Sequence, residues 1–361
     1  MRARLNAISG LGPKEPAAFV IETDAWRLLL DCGAGPEPGR LPDIEAIGRI
    51  DAVILSHGHN DHTGALRLRD RIGMPPVFAT EAVAARLPGG VVTQRIPSRG
   101  RTKVLEVEIE TGCDGHAPGG VWLRLAVGEG LLYMGDHSVE SALYGFDPPP
   151  PALTMIIDAS YGVTEETQDR QRGVLADWAR KGPVLLPVPA DGRGPEIAIF
   201  LQQAGFDVAI DDTVRAAATL LTQAARESVK EASLPALQRL IREARPLDDK
   251  SAPNGVMVAH GGSGDTGVAA ALIGRWRVRS DPAIVFTGHL AEGTAGRDLV
   301  DGGRAMFQRW NVHPTFSQNL QLIKSVNPRR IVPAFVDPRY LPTWRARLTP
   351  REVITSKVTV L

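Results

Sequence analysis

The 361-residue sequence has no net charge, because 41 Lys+Arg balance 41 Asp+Glu. No molecule-wide field therefore draws it to a polyanion or a membrane, and any nucleic-acid binding must be local. Cysteine is scarce: Cys32 and Cys113 lie far apart, which suits reduced thiols better than a disulfide framework. No apolar run approaches the length of a bilayer span. The opening "MRARLNAISGLGPKEPAAFVIETDAW" lacks the charged, apolar and small-residue succession of a secretory leader. These absences predict a soluble, cytoplasmic protein with no membrane role. Internal repeats and low-complexity tracts are also missing, so the chain does not read as a solenoid or a linker.

What is present is enough apolar material for two cores, 43% of the residues. Short β-type runs ("FVIET", "RLLLDCG", "DAVILSH", "LLYMGD", "TMIIDAS", "VLLPVPA", "VMVAHGG", "AIVFTGH", "RRIVPAF") alternate with helical patterns, the signature of α/β layering. The proline run "FDPPPPAL" at 146–153 can continue neither a helix nor a central strand and reads as a stiff connector. From 164 to about 300 the pattern shifts to longer helices, "QDRQRGVLADWARK", "RAAATLLTQAARESVK" and "LPALQRLIREAR", between short strands. This predicts a separate α/β lobe.

The densest chemistry is "SHGHNDHTGA" at 56–65, three histidines and an aspartate directly after the apolar run "DAVIL". His57 and His59 alternate on an extended segment, so both rings can point one way, while Asp61 and His62 follow in a loop that can turn back toward them. That geometry chelates; the plain alternative is a polar loop of solvated histidines. Borderline metals such as zinc draw N and O ligands from several places, so the remaining ligands are expected downstream. His116 in "GCDGHAPGG" and Asp136 after the strand of "LLYMGDHS" are the candidates, with a turn residue and an N-cap as their ordinary alternatives.

"LLLDCGAG", "SHGHNDHTGA", His116 and "LLYMGD", in this order, resemble the metallo-β-lactamase fold over the first 160 residues. The resemblance implies a four-layer αβ/βα sandwich, with Asp31 bracing the metal loop. It also implies one metal on His57, His59 and His116 and a second on or bridged by Asp61, His62 and Asp136. Two zinc sites are expected, the second weaker, with manganese as the other metal such donors accept. Paired metals supply a nucleophile at neutral pH and neutralise charge on the attacked group.

"DASYG", "LLPVPADGRGPEIAIFL", "VMVAHGGSGDTG" and "FTGHLAEGTAGRDLVDGG" resemble successive landmarks of the β-CASP nucleases. The implied organisation is a metallo-β-lactamase core over 1–162 and 308–361 with an inserted α/β β-CASP-like cap over 163–307. Within that cap "HGGSGDTG" is a glycine-rich turn opening a helical pattern, a place where backbone N–H groups can hold an anion. Ser263, Thr266 and Thr294, together with Arg193 and Arg297 as guanidinium forks, are the candidate phosphate contacts. Either arginine has an alternative as an ion pair, with Glu196 or Asp298. Asp158 matches the acidic residue of the group's first cap motif, positioning His313 or a metal-bound water. His313 matches the histidine beside the scissile phosphate, although Pro314 and Thr315 follow it where an acidic residue is often found.

A larger departure is Phe335 on "RRIVPAFVDP", where RNA-processing members commonly carry a histidine that completes the second metal site. The Artemis-like DNA nucleases also have an apolar residue there. The expected function is therefore a metal-dependent nuclease acting on single-stranded DNA or RNA, with DNA favoured by a small margin. Asp61, Asp158 and His313 are its catalytic candidates, and a homo-oligomer is compatible with it. The alternatives are a hydrolase of a small ester, lactone or thioester, and a catalytically weak nucleic-acid-binding subunit. Arg329, Arg330, Arg339, Arg345 and Arg347, with Tyr340 and Trp344, offer either a local nucleic-acid surface of cation and stacking groups or a solvated face over buried aromatics, and the neutral total charge favours the second.

Overall fold

The computed structural model describes residues 3–37, 39–89, 91–189, 191–278 and 281–361. The chain divides into two compact units, one formed by Met1–Val139, Tyr144–Glu165 and His313–Leu361, the other by Glu140–Leu143 and Glu166–Val312.

In the first unit the apolar runs become strands buried on both faces. Leu28, Leu30 and Ile54 point to one hydrophobic cluster while Leu29 and Val53 between them point to another. Ile156 and its neighbours Met155 and Ile157 divide in the same way. A period of two with both faces covered yields uninterrupted apolar runs instead of alternation. One seven-stranded sheet runs Val358–Val360, Arg4–Ser9, Ala18–Glu22, Arg27–Leu30, Ala52–Ile54, Val77–Ala79, Thr93–Arg95 in spatial order. The other runs Glu352–Val353, Arg330–Ala334, Thr154–Asp158, Leu131–Tyr133, Val121–Leu125, Val107–Cys113, Gly100–Val104. Their inner faces share one cluster, in which Phe19, Ile21 and Ile54 meet Leu123, Tyr133, Ile156 and Val332. Ile44, Ile47, Leu66 and Val83 cover the outer face of the first sheet. Phe316, Ile323 and Trp344 cover that of the second. The result is four layers, helix, sheet, sheet, helix.

Each sheet is antiparallel on one side and parallel on the other, and the chemistry-bearing loops leave the C-terminal ends of central strands. Ala52–Ile54 leads into His57, Val107–Cys113 into His116, Leu131–Tyr133 into Asp136, and Thr154–Asp158 ends on Asp158 itself. The C-terminal arginines are engaged locally: Arg339 pairs with Asp337 at 2.9 Å and Arg347 lies over the Phe316 ring, while Trp344 is fully buried.

The second unit is built on a six-stranded, wholly parallel sheet in the order Arg245–Pro246, Val208–Ile210, Val256–His260, Val184–Val188, Ala283–Phe286, Met306–Phe307. Leu185, Met257, Leu272, Trp276 and Phe286 form its core. Residues 308–312 belong with this sheet: Trp310 N–H donates to the Thr287 carbonyl at 3.0 Å, its indole N–H donates to Glu196 at 3.0 Å, and Asn311 exchanges hydrogen bonds with Gln171. The helix expected across "RAAATLLTQAARESVK" is shorter than its pattern, ending as Asp212–Leu220 with a separate turn at Arg226–Ser228. Thr222 and Ser228 hydroxyls donate to the carbonyls of Thr219 and Ala225, a local competition that favours turns over a continuing helix.

Candidate metal centre

Four side chains from three loops of the first unit converge on one point. His57 Nε2 and His116 Nε2 lie 3.1 and 3.0 Å from His59 Nδ1, and Asp136 Oδ2 lies 3.8 Å from His57 Nε2 and 3.6 Å from His116 Nε2. Ligand atoms around a tetrahedral zinc ion with bonds near 2.1 Å stand about 3.4 Å apart, so this spacing and N/O donor set fit such an ion. Asp136 is the hinge of the arrangement. Its Oδ1 is buried without a hydrogen-bond partner and faces His62 Nε2 at 3.4 Å, and Asp61, His62 and Asp136 form a second group able to hold a cation. Asp136, Asp158 and His313 form a third.

The loops hold these positions through close backbone packing. Ala17, Cys32 and Ala34 N–H groups donate to the carbonyls of Asp61, His62 and Asn60 at 2.8, 2.8 and 2.9 Å, so "DCGAG" runs as a rail beside the short helix Asn60–Thr63. Gly33 is required on that rail, because a Cβ there would sit 1.7 Å from the Asp61 carbonyl oxygen. Asp31 is fully buried and accepts from Ser56 N–H (2.7 Å), Ser56 Oγ–H (2.6 Å) and Tyr133 O–H (2.5 Å), and it lies 2.7 Å from His62 Nδ1. A carboxylate on the far nitrogen of a histidine fixes the ring and directs Nε2 toward the cluster. Ser56 and Tyr133 were not among the sequence candidates. Ser56 is signalled by its place beside His57, whereas Tyr133 is 102 residues from Asp31 and only the folded sheet brings it there.

Electrostatics divide the histidines. Burial pushes His57 and His59 well below the usual imidazole range, with neighbouring histidines adding to the effect, so both rings offer lone pairs. Burial also opposes protonation of His62, yet Asp136 and Asp31 outweigh it and hold that ring well above the usual range. Asp136 resists burial in the opposite sense: His62 and His313 keep it well below the usual carboxylate range. Asp61, half-buried, is raised chiefly by burial.

Residues 11–178 match the metallo-beta-lactamase superfamily. The chain carries a metallo-beta-lactamase domain. Over 261 residues it is 25% identical to the transcription termination factor FttA of Cenarchaeum symbiosum, covering 55% of this chain and 38% of that protein. It is 26% identical over 213 residues to an RNase J-like protein of Methanocaldococcus jannaschii, covering 50% of each. It is 23% identical over 398 residues to Integrator complex subunit 11 of Gallus gallus, covering 88% of this chain and 66% of that one. The chain thus spans between 38% and 66% of these relatives' lengths. The crystal structure of a protein of unknown function from Enterococcus faecalis V583 superposes with a TM-score of 0.63 at 15% identity, each chain covered completely, and so shares the fold. The architecture is a metallo-β-lactamase αβ/βα sandwich with an α/β unit of β-CASP type inserted in its chain.

Beside the metallo-beta-lactamase cluster, His313 Nδ1 lies 2.7 Å from Asp158 Oδ2, and the rings of His116 and Tyr161 each stand 5.0 Å from that of His313. Phe335 follows the strand Arg330–Ala334 at a φ of 60°, its ring 5.7 Å edge-on from His62. An apolar ring thus borders the group of Asp61, His62 and Asp136, which has three donors against four in the first. His137, outside all three groups, is buried near Phe146, and burial pulls it down to about 4.

The candidate phosphate contacts all belong to the second unit, Ser263, Thr266 and Thr294 in loops or caps after strands of its parallel sheet, and Arg193 and Arg297 in the first turn of helices. Several have local partners different from those expected. Arg193 donates to the Thr287 carbonyl at 2.7 Å, while Glu196 accepts from Ser141 and Trp310. Arg297 pairs with Asp301 at 2.8 Å, one turn along its helix. Thr294 caps the helix Ala295–Asp301, Ser263 accepts the Gly296 N–H at 2.8 Å through its carbonyl, and Thr266 precedes the helix Gly267–Trp276 without a side-chain cap. Among the described residues no helix is long and apolar enough to cross a membrane.

Proposed function

We propose that this chain is a metal-dependent nuclease that hydrolyses nucleic-acid phosphodiester bonds. The observation that carries the reading is the convergence of His57, His59, His116 and Asp136 beside the hydrogen-bonded pair of Asp158 and His313. His57, His59, His116 and Asp136 would hold the first ion, zinc by donor type with manganese as the other choice, and Asp61, His62 and Asp136 a weaker second. A metal bound there supplies Lewis-acid charge and activates water at neutral pH.

The chain's own residues supply the rest. Burial disfavours the charged form of His313, but Asp158 and Asp136 outweigh it and raise its pKa, which favours the protonated ring. With Nδ1 engaged by Asp158, Nε2 is the nitrogen free in orientation to give its proton to the departing oxygen. Asp61, raised by burial, orients the attacking water and accepts its proton. Ser263, Thr266 and Thr294, with Arg193 and Arg297, are proposed as weaker contacts to the polymer from the second unit.

Support for the polymer is divided. Phe335 beside His62 favours DNA by the resemblance described above, whereas one relative's name, RNase J-like protein, weighs toward RNA. Two buried free thiols accord with a reducing compartment, the cytoplasm. The test is cleavage of end-labelled single-stranded DNA, RNA and a small phosphodiester with zinc or manganese, alongside His59→Ala and Asp136→Asn. Polymer cleavage by wild type and its loss in both variants support the nuclease. Turnover of small esters alone, with both polymers intact, would sink it.

A further inference from the structure

The chain as a whole is neutral, so a local concentration of one sign needs a reason. A groove of about 680 Å³ in the first unit begins at the candidate metal loop, where Gly58 and Asn60 line it, and continues past Arg67, Arg69 and Arg86. Asp70 is the one carboxylate among its lining residues. Arg86 reaches the loop itself: its Nε lies 3.9 Å from where a Cβ on Gly58 would stand. Arg67 is turned toward the same loop, donating to the Gly64 carbonyl. The lining also includes the apolar side chains of Val91 and of Met74, which is 56% exposed.

We infer that this groove is a track for the unpaired strand of a nucleic acid, its arginines on successive phosphates and its apolar floor under the bases, leading away from the candidate metal centre. The inference rests on the nuclease reading and deepens it by assigning a polymer path to the first unit alone. Two features of the groove select this occupant. Three guanidinium groups line one groove, a basic path of the kind that tracks a single strand's phosphates. The groove is also continuous with the loop that carries His57 to His62, so a chain lying in it arrives at the proposed chemistry. An acidic polypeptide would match the charge but has no need of that continuity.

The test measures binding of labelled single-stranded DNA and RNA by anisotropy across a salt series, in chelator so that the result is independent of metal. Arg67→Ala/Arg69→Ala/Arg86→Gln is compared with wild type and with Arg101→Ala, a substitution of an exposed arginine outside the groove. Three lost phosphate contacts are expected to flatten the slope of log K against log salt by about 2, given roughly 0.7 per contact on single strands. Should Arg86→Gln disturb folding, Arg67→Ala/Arg69→Ala alone is expected to flatten it by about 1.4. Arg101→Ala should match wild type. If wild type binds or cleaves and the groove variants keep its slope, the groove is not the track and the nuclease reading stands. A wild type that neither binds nor cleaves overturns both. Competition by polyglutamate as effective as by oligonucleotide would overturn the nucleic-acid occupant in favour of an acidic protein segment.

Discussion

At the scale of single residues, the site depends on groups that orient other groups. Asp31 touches no candidate donor atom facing the cluster, yet it holds His62 Nδ1 and binds Ser56 and Tyr133. Asp31→Ala is expected to weaken metal affinity by about 10–100-fold, the usual cost of removing such a brace. A chelator competition titration reads this directly, and unchanged affinity would mean that the loop is held by its backbone alone. Phe335 gives the opposite prediction. Phe335→His places a nitrogen donor where an apolar ring now borders Asp61, His62 and Asp136. Elemental analysis should then show a rise in bound metal per chain relative to wild type; no rise would place the limit elsewhere in that group. The spacing of His57, His59, Asp61 and His62 was legible because all four lie within six residues of sequence. The contributions of Tyr133 and Arg86 were not, since each comes from a distant segment with no local signal.

At the scale of elements, glycine and tryptophan mark where packing admits no substitute. Gly33→Val would drive a side chain into the Asp61 backbone, so both thermal stability and metal retention should fall, measured by calorimetry and elemental analysis on the same preparation. A variant with normal stability and full metal would show that the rail can yield. Trp344 is fully buried in the outer layer of the second sheet, where its indole N–H donates to the Gly162 carbonyl at 3.2 Å. Trp344→Ala is expected to cost about 3–5 kcal/mol in denaturant unfolding while leaving the cluster's composition unchanged. The nine apolar runs all became strands because both their faces are covered. Strands such as Val107–Cys113, with Glu108 exposed and Glu110 half-buried between apolar neighbours, were harder to see. Their alternation is short and interrupted, and tertiary pairing rather than propensity decides them. The shortened helix Asp212–Leu220 shows the same override, with hydroxyls bonding nearby carbonyls where the apolar pattern alone would have continued.

For the whole molecule, the two cysteines report how completely the core is closed. Burial foremost, with Asp31 adding to it, raises the Cys32 thiol from 9.0 to about 12, and burial raises Cys113 to about 12 as well. Unfolded thiols release protons near 9.0 while the folded ones keep theirs to about 12, so over that interval the folded state binds more protons and stability falls as pH rises. Urea midpoints should decline across this range, and less steeply in Cys32→Ala/Cys113→Ala. An aromatic disulfide reagent near neutral pH should label native protein slowly and denatured protein at both positions. Rapid native labelling would mean that the core opens. The sequence by itself determined the α/β layering, the metal-binding loop and the glycine-rich landmarks, because periodicity and ligand spacing are local properties written over a few consecutive residues. Tertiary structure alone decided that Asp136 joins three groups, that Phe335 borders His62, that Arg297 turns to Asp301, and that arginines 67, 69 and 86 line one groove with the metal loop. Each of these depends on which strand ends lie side by side, and that is set by burial across two sheets, a long-range quantity that no stretch of sequence records.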